Sequence, residues 1–296
     1  MRKIKCFLCG SNDVNKILEC KDYRFNLSKD VFELVQCKKC GLIYINPMPV
    51  ADELKKYYPE NYYNQGTLSN KIIRIYSILM EKIKVYEISY YKNSGKILDV
   101  GCGTGDFLFS FNKNKWDRYG VDVSKEACEI AKSKLGGNIY NNDLIKCKFP
   151  EKYFDVITLN HVLEHFEDPL IEMKEIFRIL KDDGILFIRV PNIESIQFRM
   201  TREYWLHLDV PRHLFFYSKK TLEKLLNKAK FETIKISYPF LEYPLDILHS
   251  IIRKYNQKNY NKLRNIVLYL FSPLLFMSKI IRSMRGTVQF ICKKKG

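Results

Sequence analysis

The chain has 296 residues, of which 46% are hydrophobic and 14% aromatic. This composition excludes an intrinsically disordered protein and supplies enough apolar side chains for one sizeable α/β domain with smaller attachments. The formal net charge of +17 favours anionic partners, but its lysines are scattered, and the abundant Lys, Asn, Ile and Tyr are typical of an A+T-rich coding bias. Nucleic acid therefore ranks below small anionic molecules and acidic lipid surfaces as a partner.

Two C-x-x-C pairs, each followed by a glycine, mark the first 48 residues. The cysteines are Cys6, Cys9, Cys37 and Cys40. Two residues between cysteines let both sulfurs face one ion, and the following glycine permits a positive-φ turn whose amides point back at the thiolate. Four thiolates leave no open coordination position, so residues 1–48 are predicted to be a ribbon held by structural zinc. Iron in the same sulfur cage is the minor alternative, and a redox role fits less well because neither pair opens a helix after a strand.

The other cysteines show no paired spacing. They are Cys20, Cys102, Cys128, Cys147 and Cys292. With nine cysteines in all and no apolar targeting segment after Met1, we expect reduced thiols and a cytoplasmic protein rather than an exported disulfide framework.

Residues 49–94 read as a proline-bounded linker followed by a helical cap, with an amphipathic helix predicted over Leu68–Tyr91. Tyrosines crowd around Pro59 in this region. Of these, Tyr62 and Tyr63 are weak predictions for substrate contact, and plain packing of the helix on the core is the equal alternative.

A strand-to-glycine-loop pattern begins the main domain, predicted over residues 95–237. The strand Lys96–Val100 leads into three alternate glycines, Gly101, Gly103 and Gly105, after which a helix should begin. About twenty residues on, the strand Arg118–Val123 contains Asp122, placed where a carboxylate can accept hydrogen bonds from two ribose hydroxyls. The spacing is G-x-G-x-G and not the dinucleotide G-x-G-x-x-G, and Asp99 before the glycines suits a ligand that carries an ammonium group.

Together these residues resemble the S-adenosylmethionine site of class I methyltransferases. The resemblance implies a Rossmann-like, seven-stranded, mostly parallel sheet, a glycine loop and Asp99 facing the methionine end of the cofactor, and Asp122 on the ribose. It further implies that Asp143, after a short third strand, bonds the adenine amino group. Asn160, after a fourth strand predicted at Tyr153–Leu159, begins the family's next cofactor-side segment.

The resemblance continues through a helix at Leu170–Leu180 and a fifth strand ending near Arg189. The family's Pro-Gly-Gly turn before that strand is replaced by 182–184 (Asp-Asp-Gly), which we interpret as a tolerated turn variant. A competing motif lies between them: His161, Glu164 and His165 spell H-x-x-E-H, an inverted zinc-peptidase signature. No adjacent third ligand is evident, and local packing of His165 is the favoured interpretation.

Residues 191–217 are predicted to select the substrate. Polar and aromatic side chains cluster there before a helix at Ser218–Lys230, namely Trp205, His207, Asp209, Arg212 and His213. This segment resembles that of zinc-ribbon methyltransferases of sugar and glycan pathways, in which a histidine before an aromatic pair serves the chemistry. That position matches His213, predicted to be the general base, with a loop-fixing role as the alternative. Trp205, His207 and Arg212 are weaker substrate predictions. The C-methylating members carry Glu-His where this chain has Arg212 and His213, which leaves C- or O-methylation open.

The last two strands are predicted at Phe231–Ser237 and Thr287–Cys292, as an antiparallel pair separated by a helical insertion at 238–286. Residues 287–296 then form the last strand of the core. Within the insertion, 266–277 is apolar but too short and too broken by proline to span a bilayer. Cations on both sides suggest that 260–285 contacts an anionic membrane surface or covers a pocket. Packing on the core, or a dimer contact, is the alternative.

The sequence thus predicts a transferase that uses S-adenosylmethionine to methylate a sugar or glycan-biosynthesis intermediate, either free or lipid-linked, in the cytoplasm or at the inner face of the membrane. An RNA methyltransferase is the second candidate, favoured by the charge and the ribbon. Against it, Asn160 and His161 stand where a base-amine methyltransferase carries an Asn/Asp-Pro-Pro-aromatic box. The third candidate is a scaffold that binds the cofactor without catalysis.

Overall fold

The computed structural model describes residues 1–59, 71–239, 242, 246–255 and 284–296. The strands in chain order are β1 (Val14–Cys20), β2 (Phe32–Cys37), β3 (Ile43–Ile45), β4 (Gly95–Val100), β5 (Trp116–Asp122), β6 (Ile139–Asn141), β7 (Phe154–Asn160), β8 (Leu180–Pro191), β9 (Phe215–Phe216), β10 (Phe231–Ser237) and β11 (Thr287–Lys294). The α-helices are α1 (Ala51–Lys55), α2 (Lys71–Ser89), α3 (Asp106–Phe109), α4 (Lys125–Leu135), α5 (Pro169–Ile179), α6 (Ile196–Thr201), α7 (Lys219–Lys228) and α8 (Asp246–Tyr255).

The main sheet has seven strands in the order β10-β11-β8-β7-β4-β5-β6. The strands from β8 to β6 are parallel, whereas β11 runs antiparallel to both β8 and β10. The predicted seven-stranded, mostly parallel sheet and its closing antiparallel pair are therefore confirmed. Because parallel strands end at one edge, the residues that follow β4, β5, β6 and β7 meet there.

Apolar side chains cover both faces of this sheet, as expected for parallel strands. Along β4, Ile97 faces one layer while Leu98 and Val100 face the other. The first layer contains buried side chains of α2, α3 and α4, and the second contains those of α5, α7 and the amino-terminal ribbon. The ribbon thus packs on the same core as two helices of the main domain.

Side-chain caps fix the starts of the helices that follow the strands. Ser124 Oγ accepts a hydrogen bond from the Ala127 amide at α4, and Asp168 Oδ1 accepts one from the Ile171 amide at α5. Ser218 caps α7 in the same way. Such caps satisfy amides that the helix itself leaves unpaired, and they stabilise a helix by about 1 kcal/mol.

The predicted turn at 182–184 is wrong. Strand β8 continues through these residues, and its pairing with β7 jumps from Phe154 opposite Leu180 to Val156 opposite Ile185. The extra residues form a bulge inside the strand. Gly184 permits it, because a Cβ there would lie 2.7 Å from Leu180 Cδ1.

A second, antiparallel sheet has the order β1-β2-β3-β9. Its fourth strand comes from the main domain, where Phe215 pairs with Tyr44 and Phe216 with Ile43. The ribbon sheet therefore extends beyond the predicted domain boundary at residue 48.

Helix α2 is described over Lys71–Ser89, within the predicted Leu68–Tyr91, and residues 60–70, including Tyr62 and Tyr63, lie outside the described residues. Of the predicted insertion at 238–286, the structure describes α8 and short flanking pieces, so 266–277 and most of 260–285 also lie outside them. Among the helices that the structure describes, none combines the length and apolar character needed to cross a bilayer.

Candidate functional site

The glycine loop leaves β4 at the carboxyl edge of the sheet with three positive φ angles, +70° at Gly101, +50° at Gly103 and +77° at Gly105. A Cβ on Gly101 would lie 2.4 Å from Val162 Cγ2, so the loop packs directly against the segment that follows β7. Gly105 caps α3, as the sequence predicts, although this helix has only four residues. The loop is a backbone-lined turn in which side chains would be strained or would clash.

Asp99 ends β4 almost completely buried, with 3% of its surface exposed. Its Oδ1 accepts hydrogen bonds from Thr158 Oγ1 and, at 3.3 Å, from Asn160 Nδ2. Burial nevertheless dominates, and it raises the pKa of Asp99 to about 7. A buried carboxyl that costs this much to ionise is a strong site for an incoming cation, such as an ammonium group.

Asp122 is the last residue of β5, and its carboxylate binds the backbone of the glycine loop. Its Oδ2 accepts a hydrogen bond from the Gly103 amide at 2.8 Å, and its Oδ1 accepts one from the Ser124 amide at 2.9 Å. Asp143 lies past β6 at the surface, where it pairs with Lys146 Nζ. The structure thus brings all seven predicted cofactor residues to adjacent strand ends, with Asp122 already positioning the loop.

The four ribbon cysteines form one cluster, with their sulfurs all within 4.8 Å of one another. Cys6 Sγ lies 3.4 Å from Cys40 Sγ, and Cys9 Sγ lies 3.4 Å from Cys37 Sγ. Sulfurs bound tetrahedrally to one zinc at about 2.3 Å lie about 3.8 Å apart, so the cluster has the size of such a site. The predicted positive φ angles are present at +74° for Gly10 and +86° for Gly41, among the few residues of this sheet that need them.

A second cluster of titratable side chains follows β7, where the sequence carries the H-x-x-E-H motif. The segment is a 3₁₀ turn at Leu163–His165, so it lacks the regular helix of a zinc peptidase. Glu164 is fully buried, and its Oε1 lies 3.5 Å from His161 Nδ1 and 3.8 Å from His213 Nε2. Burial opposes its ionisation, but the facing histidines outweigh burial and hold the pKa of Glu164 below its usual value. Within the part of the chain that the structure describes, neither carboxylate oxygen has a hydrogen-bond partner.

His213 is buried, with 6% of its surface exposed. Its Nδ1 lies 2.9 Å from the carbonyl oxygen of His207, while its Nε2 faces Glu164. Burial and the charge of nearby His165 lower the pKa of His213 to about 3. A general base works best with a pKa near the working pH, so this environment weakens the predicted role of base.

Arg212 is a correction to the sequence prediction of a substrate contact. It is fully buried, and its guanidinium bonds Asp22 of the ribbon at 2.7 Å, Asp209 at 2.8 Å and the carbonyl oxygen of Tyr57 at 2.6 Å. Burial opposes the charge, but the two carboxylates raise the pKa of Arg212 above its usual value. All the contacts of this side chain join ribbon, linker and main domain, so its role is to fasten them.

Trp205 and His207 need a similar correction. Trp205 is fully buried, packs on Phe198 and donates its indole N–H to Gln197 Oε1 at 3.3 Å. His207 is buried beside it, with Nε2 3.1 Å from Asp246 Oδ2 of α8. The predicted polar and aromatic wall is therefore part of the core beneath the site, because the segment folds inward against α6 and α8.

Sequence reasoning missed a buried charge network at the end of β8. Arg189 pairs with Glu87 of α2 at 2.6 Å and lies 3.6 Å from Glu242, which in turn lies 3.5 Å from His161 Nε2. Burial opposes ionisation of Glu242, but Arg189 and His161 outweigh burial and hold its pKa well below the usual value. Burial opposes the charge of His161, but Glu164 and Glu242 outweigh burial and raise the pKa of His161 to about 9. No local spacing signals this network, since its members come from four distant segments.

Known proteins support the fold and the family. Residues 78–236, more than half of the chain, match a family model described as a methyltransferase domain. A demethylmenaquinone methyltransferase of Staphylococcus aureus is 30% identical over 132 residues, which cover 40% of this chain and 55% of that protein. The corresponding protein of Lactococcus lactis is 30% identical over 170 residues, covering 47% and 66%. The chain thus spans between half and two thirds of the length of these curated relatives.

Among solved structures, a S-adenosylmethionine-dependent methyltransferase from Archaeoglobus fulgidus superposes with a TM-score of 0.51 at 23% identity, covering 73% of this chain and 93% of that one. At this identity the likeness concerns the fold, and it agrees with the strand order of the main sheet. The family match, the sheet and the glycine loop between Asp99 and Asp122 together lead to one conclusion: the chain belongs to the methyltransferase-domain family, with the class I, S-adenosylmethionine-dependent domain.

Proposed function

We propose that this protein transfers a methyl group from S-adenosylmethionine to a sugar or glycan-biosynthesis intermediate, which is either free or lipid-linked. The observation that carries methyl transfer is the convergence of Asp99, the glycine loop, Asp122 and Asn160 at neighbouring strand ends within a domain of this family. The sugar acceptor rests on the resemblance of residues 205–218 to zinc-ribbon methyltransferases of glycan pathways.

This chain's own residues would bind and orient the cofactor. Asp99 would hold its ammonium group, the glycine loop would hold its methionine end, and Asp122 would accept hydrogen bonds from its ribose hydroxyls. The sulfonium of S-adenosylmethionine supplies an electrophilic methyl with a good leaving group. What remains for the protein is in-line placement of the acceptor and removal of its proton where a hydroxyl or carbon acid reacts. Burial makes His213 a weak base, so a lowered pKa of the acceptor would assist removal of the proton.

We also propose that Cys6, Cys9, Cys37 and Cys40 hold a structural zinc ion. Their spacing supports it, and so do the backbone amides of Leu8 and Cys9 that point at the Cys6 sulfur. Bound zinc would tie the turn at Cys6–Cys9 to the β2–β3 hairpin and so support the surface on which β9 pairs. Cys37 and Cys40 lie on this hairpin, which meets the core through Leu42 and Tyr44.

The test of function is transfer of labelled methyl from S-adenosylmethionine into a cell extract that is then separated into nucleotide sugars, lipids, RNA and protein. Label in the sugar or lipid-linked sugar pool supports the proposal. The relatives named as demethylmenaquinone methyltransferases make the quinone fraction a necessary arm of the lipid analysis. Label confined to quinone or RNA would refute the sugar acceptor and leave the methyltransferase intact, and binding without transfer to any fraction would indicate a scaffold.

The control for this assay is Asp99→Asn, which keeps the shape of the side chain and removes the charge.

A proposed contact of 260–285 with anionic membranes is tested separately, by sedimentation with liposomes of anionic and neutral composition. The whole chain should sediment with the anionic liposomes, and a variant lacking the insertion should not. Equal behaviour of the two chains would refute that contact.

A further inference from the structure

We propose that Glu164, His165 and His213 form a second metal site, for a first-row divalent ion such as Zn²⁺, separate from the cysteine cluster. Their ligand atoms lie within 4.8 Å of one another. Two imidazoles and one carboxylate are the donor set of catalytic zinc sites that keep an open position for an oxygen ligand. This inference does not depend on which acceptor the protein methylates.

Glu164 carries a buried carboxylate without a close partner. It is fully buried, yet neither of its oxygens makes a hydrogen bond to any residue that the structure describes. Its nearest cationic neighbour, His161, lies 3.5 Å away, and the neutral imidazole of His213 lies 3.8 Å away, both beyond the 2.7–2.9 Å typical of a charge-assisted hydrogen bond. A buried carboxylate is costly without close partners. An ion between Glu164 and the histidines would supply the missing partner.

The orientation of the two imidazoles also supports a metal site. His165 Nδ1 lies 2.9 Å from the carbonyl oxygen of Arg212, and His213 Nδ1 lies 2.9 Å from that of His207. A carbonyl oxygen only accepts, so each Nδ1 carries the proton and each Nε2 keeps its lone pair. Metal-binding histidines are oriented in this way, with the other ring nitrogen donating to a backbone carbonyl.

The cluster has nearly the dimensions of a metal site. Ligand atoms at about 2.1 Å from one ion lie about 3.4 Å apart in a tetrahedral site. The measured 3.8 Å between His213 Nε2 and Glu164 Oε1 requires a shift of only a few tenths of an ångström. The rings of His165 and His213 lie close together, with centroids 4.7 Å apart. His165 is only half-buried, so the cluster reaches the surface at this residue.

The site adjoins the cofactor edge, since Val162 of the same turn contacts Gly101 of the glycine loop. An ion there with an open position would bind an oxygen of the acceptor and lower the pKa of a hydroxyl. That would supply the lowered acceptor pKa that assists removal of the proton. The histidine that the sequence predicts as a base would then act as a ligand.

The test measures zinc per chain in the full-length protein after removal and readdition of Zn²⁺, by inductively coupled plasma mass spectrometry. We expect two ions per chain in the unmodified protein and one in both Glu164→Gln and His165→Asn. Glu172→Gln is the matched control, because it makes the same change in a neighbouring glutamate outside the cluster, and it should keep two. Circular dichroism and binding of S-adenosylhomocysteine check that each variant is folded.

Substitution with Co²⁺ separates the two sites spectroscopically. Thiolate-bound Co²⁺ gives intense charge-transfer bands, whereas an imidazole and carboxylate site gives only weaker visible bands, which Glu164→Gln should abolish selectively. A single ion with thiolate bands in the unmodified protein would refute the second site, as would a second ion that persists in folded Glu164→Gln. A single ion without thiolate bands would support the second site and refute zinc in the ribbon.

Discussion

The buried carboxyl of Asp99 makes cofactor affinity depend on pH. Its pKa of about 7 reflects burial, opposed by hydrogen bonding from Thr158 and by the charge of Lys84, and increased by the charge of Glu81. An ammonium group beside Asp99 favours the ionised form, so binding should release the proton that the free protein holds below neutral pH. The affinity for S-adenosylhomocysteine, which carries the same ammonium group, should therefore rise with pH.

The size of the effect follows from linkage. If the bound-state pKa of Asp99 falls well below 6, the dissociation constant should decrease about tenfold between about pH 6 and about pH 8. Asp99→Asn has no charge to gain, so its affinity should be weak and nearly independent of pH over that range. Asp143→Asn is the matched control, because this exposed side chain lies past a neighbouring strand and should leave the slope unchanged.

Isothermal titration calorimetry in buffers of different ionisation enthalpy measures both the affinity and the proton released. Stability gives an independent check, with the opposite sign. A pKa raised by folding means that the unliganded native state binds more protons than the unfolded chain between about pH 4 and about pH 7, so its stability falls as pH rises through that window. Asp99→Asn should lack this share of the fall in urea unfolding. A dissociation constant that is flat with pH, or a slope that survives in Asp99→Asn, would refute the reasoning.

Three further substitutions test the loop, the ribbon contact and the cysteine cluster. Gly101→Ala places a Cβ at a positive φ and against Val162, and it should lower the free energy of unfolding in urea by about 1–3 kcal/mol more than Gly136→Ala. Gly136 also has a positive φ, +92°, but its Cβ would meet no described atom within 4 Å. Equal losses in the two variants would refute the clash. Arg212→Ala removes the guanidinium partner of buried Asp22 and leaves buried Asp209 with the Arg24 ion pair, so it should destabilise by about 3–5 kcal/mol. Arg24→Ala, at a side chain with 42% exposure, leaves Asp209 paired with Arg212 and should cost under about 1 kcal/mol. Thermal unfolding decides between these two, and a mild effect of Arg212→Ala would contradict its fastening role. Cys37→Ser should remove bound zinc and make the ribbon sensitive to limited proteolysis, and an unchanged zinc content would refute the cysteine site.

The main sheet could be read from the sequence because its signals are local. Each strand is a short apolar run, and the glycine loop and the capping residue Ser218 mark their turns and helix starts within a few positions. The bulge at 182–184 was not predicted because Asp-Asp-Gly has turn chemistry, whereas β8 pairs with β7 on both sides of it, at Leu180 and at Ile185.

The candidate substrate site was harder to predict, since its chemistry depends on burial. Trp205 and Arg212 have the residue types of a binding wall, yet both are completely enclosed by segments that lie far away in sequence. The importance of Glu164 was visible only as part of a motif that suggested a different enzyme. Its carboxylate faces His213, 49 positions later, and the two segments meet where the Leu214 amide donates to the carbonyl oxygen of Glu164 at 2.8 Å.

The pairing of β9 with β3 has a consequence for how this protein can be cut and recombined. Phe215 and Phe216 lie two and three positions after His213, and both are almost fully buried beneath the ribbon. A fragment that begins after residue 48 would expose this apolar edge, and the loop that carries His213 would lose its support. Such a fragment should aggregate, and it should also lose the proposed selection of the acceptor. Chimeras between relatives should exchange residues 1–48 and 205–217 as one cassette, and natural substitutions on the two sides of this seam should be constrained to change in concert.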